Sequence, residues 1–202
     1  VPTCTLRGSF GSKAAIAVWS VVMSLGPAQL SAAVGLACST ASGIKSFATG
    51  TGGGMMKRMH CGRPAEAGVR MAQLAARGFT APPSAIDGRF GLLEVFGGQG
   101  ARPGLLAANL GKQWAVGRVF VKVYPCCSWI QATVQQLVLL RGAAPLQAGE
   151  IRKITVGTNS YAKRINGESK PIDTMGAQYS IPYCAAVAVT SGLVHRLNRD
   201  EL

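Results

Sequence analysis

The chain has 202 residues, 48% of them apolar and 14% charged, which excludes a disordered segment and fits a folded protein with a sizeable core. Its net charge is +13, yet the 21 lysines and arginines are scattered in ones and twos with no aromatic interleaving, so no nucleic-acid partner is expected. No apolar run reaches the ~18 residues a membrane span needs, so no membrane partner is expected either.

In chain order, Ser12 to Leu25 reads as an apolar helix stopped by Gly26-Pro27. Pro27 suits the first turn of a second helix reaching about Ser42-Gly43, lined by Ala32, Ala33, Gly35, Ala37 and Ser39, small enough for close backbone approach. The glycines between Gly50 and Gly54 break regularity. A third helix is predicted over Pro64 to Arg77, with Gly78 as its C-terminal cap. Ala81-Pro82-Pro83 is a turn, and 86–111 reads as irregular structure with a short helix. The pattern changes near residue 118. Arg118 to Tyr124 alternates like a strand, Ser128 to Arg141 is helical, Ile151 to Thr158 is a second strand, and Met175 to Gly192 is an apolar helical run. The expected fold is therefore α+β: an all-helical part over 1–118, then a smaller α+β part over 119–202.

Several familiar chemistries are excluded by pattern. The glycine run lacks the Gly-Lys-Ser/Thr of a phosphate loop, Gly98-Gln-Gly100 lacks the rest of a dinucleotide fingerprint, and there is no nucleophile elbow. Cys4, Cys38, Cys61, Cys126, Cys127 and Cys184 include no C-x-x-C, and the two histidines stand far apart among few acids, so neither a metal site nor a cofactor is expected. Thiols among alanines read as packing residues of a reducing compartment, and a cytoplasmic location is the corresponding expectation.

Two segments carry candidate chemistry. Lys57 and His60 follow the glycine run at the mouth of a helix, an arrangement that offers a cation and a titratable base to an anion. Lys122 and Tyr124, two apart on the first predicted strand, would share a face just before Pro125 and the start of a helix near Ser128. The same residues also fit a plain strand-to-helix turn with a snorkelling lysine and a packed tyrosine.

Four motifs occur in order: Lys57-Arg-Met-His60-x-Gly62-x-x-Ala65-x-x-Gly68, Gly78-Phe79-Thr80-x-Pro82-Pro83, Lys122-x-Tyr124-Pro125-Cys126-Cys127, and Gly176-Ala177-Gln178-Tyr179-Ser180-x-Pro182-Tyr183. Together the set resembles the MmgE/PrpD family, which includes 2-methylcitrate dehydratase, cis-aconitate decarboxylase and iminodisuccinate epimerase. The resemblance implies a helical domain and an α+β lid with the active site between them, a homodimer in the full-length family, and a chain corresponding to an internal piece: the later helices of the helical domain and the first portion of the lid. It implies cofactor-independent lyase chemistry on a di- or tricarboxylate, of the 2-methylcitrate dehydratase type. Lys57, His60 and Tyr161 match the family's catalytic positions, and Lys122 a substrate-binding one. Tyr124 joins it as a binding residue, as does Cys127, where some members carry a histidine. The family's histidine before a Pro-Thr motif has no counterpart beside Val1-Pro2-Thr3. Contrasting expectations follow: a catalytically incomplete piece acting as a structural or interaction module, or a decarboxylase or epimerase of the same family. The closing Arg199-Asp200-Glu201-Leu202 is taken as an accidental likeness to a retention signal.

Overall fold

The computed structural model describes residues 22–41, 43–44, 46–48, 52–143 and 147–191. The chain divides into two units, Val1–Lys45 with Arg58–Arg118, and Ser46–Lys57 with Val119–Leu202. Lys57, which lies within the 1–118 part expected to be helical, clusters with the second unit.

In the first unit, α1 (Pro27–Ser39) starts at Pro27, as the missing N–H of proline allows, and Gln29 reaches back to the Gly26 N–H. It packs on α2 (Met56–Ala76) through Ala32, Ala33, Ala37 and Ala75, with Val34 and Met71 at the edge. Small side chains let the two helix backbones approach closely. The turn at Ala81 and Pro82 comes up against Gly35, where a Cβ would lie 2.6 Å from that of Ala81.

Helix α2 ends as the sequence implies. Gly78 adopts φ +91, its N–H donates to the Ala75 carbonyl, and that of Phe79 donates to the Leu74 carbonyl, which is a Schellman cap. Its start differs from the expectation at Pro64. The helix begins eight residues earlier, and Pro64 lies inside it. A short helix α3 (Leu92–Gly97) buries Leu92 within the 86–111 region. The helix expected over Ser12–Leu25 lies almost wholly outside the described residues.

The second unit is built on α4 (Gln131–Ala143), which packs along α7 (Ile181–Thr190), with Ile130, Val134, Cys184 and Ala188 fully buried. Two shorter helices, α5 (Ser160–Asn166) and α6 (Thr174–Gln178), are capped by Asn159 and Asp173. The helical run expected over Met175–Gly192 is split at Tyr179-Ser180, because the Ser180 hydroxyl caps α7 by accepting from the Tyr183 N–H.

The expected strands are not seen. Among the described residues there is no β-strand and the second part is built of helices, so the two strands expected at 118–124 and 151–158 are corrected to non-strand backbone and the α+β character of this part is not shown. Arg118 closes a helical turn begun at Ala115, and residues 119–122 and 151–159 run on without ladder pairing. Their alternating, β-branched sequences favour extended backbone, but a strand persists only against a neighbour that takes its N–H and C=O groups.

Candidate functional site

Lys57 occupies the first turn of α2. Its stem is half-buried and its ammonium sits 4.8 Å from the centroid of the Tyr179 ring, a cation–π contact. Tyr179 is itself held edge-on by Phe47, with centroids 5.8 Å apart. What sets this turn is Asp173. One carboxylate oxygen accepts from the Gly176 N–H at 2.6 Å and caps α6, while the other accepts from the Gly54 N–H at 2.8 Å. Burial alone would push this carboxyl up, but the N–H groups of Gly176, Gly54, Gly53 and Met175 outweigh it and hold the group below the usual carboxylate range.

The 122–127 segment reaches the same small helix from another direction. Its Cys127 N–H donates to the Gln178 carbonyl at 2.8 Å. Gln178 and Tyr179 are adjacent, so the segments carrying Lys57 and Lys122 both dock at the C-terminal end of α6. Lys122 is exposed, and its ammonium donates to the Cys126 carbonyl at 3.0 Å. Tyr124 is buried, its hydroxyl donating to Gln135 at 2.8 Å. Lys122 and Tyr124 therefore do not share one environment. The reason is local: the Cys126 N–H turns back onto the Tyr124 carbonyl across Pro125, and Gln131 grips both the N–H and the C=O of Tyr124. This γ-turn over Tyr124–Cys126 lies just beyond the pair and brings the Cys126 carbonyl within reach of the Lys122 ammonium, while the Tyr124 side chain is buried.

Cys127 is buried in the same layer. Beside it, Cys126 is held below the ordinary thiol range, first by its hydrogen bond with Cys184, against the penalty of burial, and further by the Lys122 ammonium and the Gln131 amide. Cys184 is pushed up by that same bond, by burial and by the two neighbouring thiols. Tyr161 lies on α5, half-buried, edge-on to Trp129 at 6.3 Å and beneath Arg164 at 5.6 Å.

His60 belongs to the first unit. It lines a cavity of about 460 Å³ together with Ser39, Thr40, Gly43, Arg63 and Arg70. Gly43, with φ +130, lets this backbone run close to the imidazole, 3.8 Å from the place a Cβ would take. The two arginines at this cavity grip Glu66 at 2.7 and 2.9 Å and hold its carboxyl below the usual range, Arg63 more than Arg70. Among the described residues no group of three or more His, Cys, Asp or Glu is placed to hold a metal ion, and no helix is long and apolar enough to cross a membrane.

Sequence reasoning singled out Lys57 but missed Asp173 and the role of Tyr179. The aspartate stands three residues before Gly176, the first residue of the Gly176–Ser180 motif, where Asp-Thr-Met-Gly is a legible helix start. Its bond to Gly54, across 119 positions, is not legible locally.

Residues 5–103 match the model of the MmgE/PrpD N-terminal domain, and residues 124–198 that of the MmgE/PrpD C-terminal domain. A cis-aconitate decarboxylase of Aspergillus terreus is 28% identical over 193 residues, covering 88% of this chain and 39% of the relative. A cis-aconitate decarboxylase-like protein of Aspergillus oryzae is 29% identical over 214 residues, covering 96% and 44%. The chain spans less than half the length of these curated relatives. With the two domain models matched in tandem, one over residues 5–103 and one from residue 124 onward, the chain belongs to the MmgE/PrpD family.

Proposed function

We propose that the protein serves a cofactor-independent lyase reaction on a di- or tricarboxylate, in which charge develops on a carbon beside a carboxylate. The observation that carries this reading is the docking of the Lys57 and Lys122 segments at one end of α6. The Lys57 ammonium over Tyr179 and the Lys122 ammonium on the neighbouring segment suit the carboxylates of such a substrate and the negative charge that builds up during reaction. Lys57 is pre-set over an aromatic ring, so little side-chain freedom is lost when an anion arrives. His60, one helical turn after Lys57 on α2, is the candidate proton-transfer group, and Tyr161 a candidate hydroxyl donor.

The curated relatives are named for cis-aconitate decarboxylation, and the motif resemblance implies 2-methylcitrate dehydration. Both leave an electron pair on a carbon next to a carboxylate. Decarboxylation does so by releasing carbon dioxide and then taking up a proton; dehydration does so by losing a proton and then expelling hydroxide. The same cations serve either. The test is to incubate the protein with cis-aconitate and with 2-methylcitrate and follow carbon dioxide release and formation of the unsaturated acid by proton NMR. Turnover of one of them, reduced at least about a hundredfold by Lys57→Met, is expected. Turnover unaffected by Lys57→Met, or none with either acid, would contradict the reading.

A further inference from the structure

We infer that Asp173 is a positioning residue: it staples the glycine turn ahead of α2 and so fixes where the Lys57 ammonium stands. The relevance of that position to carboxylate binding rests on the function proposed above, but the staple itself does not. Three observations carry it. The first is the shared carboxylate. Asp173 divides its two oxygens between its own helix, through Gly176, and the Gly53-Gly54 turn, through their N–H groups. Charge-assisted bonds of this kind are the stronger sort, and here they join segments 119 positions apart.

The second is steric. A Cβ at Gly53 would lie 2.5 Å from the Met175 Cγ and 2.7 Å from the Phe47 carbonyl oxygen, so the turn is pressed onto α6 with no room for a side chain. The third is the layout of α6 itself. This five-residue helix has Asp173 as its N-cap and Tyr179 as its C-cap. One end therefore holds the backbone three residues before Lys57, and the other end supplies the ring beneath its ammonium. The stapled turn and the aromatic seat are thus both tied to α6, and Lys57 lies between them.

The test is spectroscopic and needs no turnover. Protein labelled with ε-13C lysine is expected to give one Lys57 signal shifted upfield by the Tyr179 ring, assigned by its absence in Lys57→Arg and its return to the bulk position in Tyr179→Leu. Asp173→Ser keeps a good helix cap but has no second oxygen to reach Gly54, so it separates capping from stapling. In that variant the Lys57 signal should collapse toward the exposed lysines while circular dichroism and the other lysine signals stay in place. Asp173→Glu, which keeps a two-oxygen anion, should restore part of the shift. An unmoved Lys57 signal in Asp173→Ser would overturn the inference. Binding of tricarballylate, a saturated tricarboxylate, is then measured on the same samples, with about a tenfold weakening expected in Asp173→Ser. If the lysine signal moves but the wild type binds no tricarballylate, the staple stands and the proposed function falls.

Discussion

Asp173 also sets an acid dependence. Its folded pKa is lowered, so it stabilises the fold above its unfolded value of about 3.9 and loses that contribution as pH falls through the lower folded value. Chemical unfolding followed between neutral and acidic pH should therefore show a falling acid limb that is shallower in Asp173→Asn. An unchanged limb would mean that other carboxylates dominate. Among the described cysteines, accessibility rather than thiol chemistry decides reactivity. Cys61 is exposed, whereas Cys126 is only 3% exposed despite its lowered pKa. Peptide mapping after mild alkylation should find Cys61 modified first, and Cys126, Cys127 and Cys184 modified only on unfolding.

The glycines at the ends of α2 differ in kind. Gly78→Ala strains a left-handed residue in open space and should cost about 1–2 kcal/mol in a denaturant melt. Gly53→Ala drives a methyl into Met175 and the Phe47 carbonyl and should cost about 1–3 kcal/mol, with loss of the Lys57 seat. If the two were equal in cost and neither moved Lys57, the close approach would not matter. Legibility follows the same division. The start of α1 at Pro27 and the stop of α2 at Gly78 are local backbone chemistry, and both could be read from the sequence. The start of α2 could not, because Pro64 suggests an N-terminus when its neighbours in sequence are weighed alone, while the residues ahead of it are held by partners far off in the chain, Gly54 by Asp173 and Lys57 by the Tyr179 ring. Residues 118–124 and 151–158 mislead for a complementary reason: strand propensity is readable, but whether a partner strand exists is a long-range fact. Amides of 151–158, outside any ladder among the described residues, should exchange with solvent quickly beside slow α4 and α7. Lys57 and Lys122 could be picked out of the sequence as motif residues; the contacts that seat Lys57 against Tyr179 and tie Gly54 to Asp173 could not, because their partners lie more than a hundred positions away.

On the scale of the molecule, apolar side chains stay at the surface. Leu110 is 83% exposed, Trp114 74% and Val121 77%, with Leu105, Val116 and Phe120 also open. Surfaces of this kind promote association. Light scattering should give a mass rising above 20.9 kDa with concentration, and a constant mass of that value would show the apolar run to be tolerated in a monomer. The account as a whole depends on two cationic segments meeting at one end of α6. Calorimetric titration of tricarballylate into the wild type, Lys57→Met and Lys122→Met tests this most directly. Each substitution should weaken binding about tenfold or more; affinity that is the same in all three proteins would contradict it.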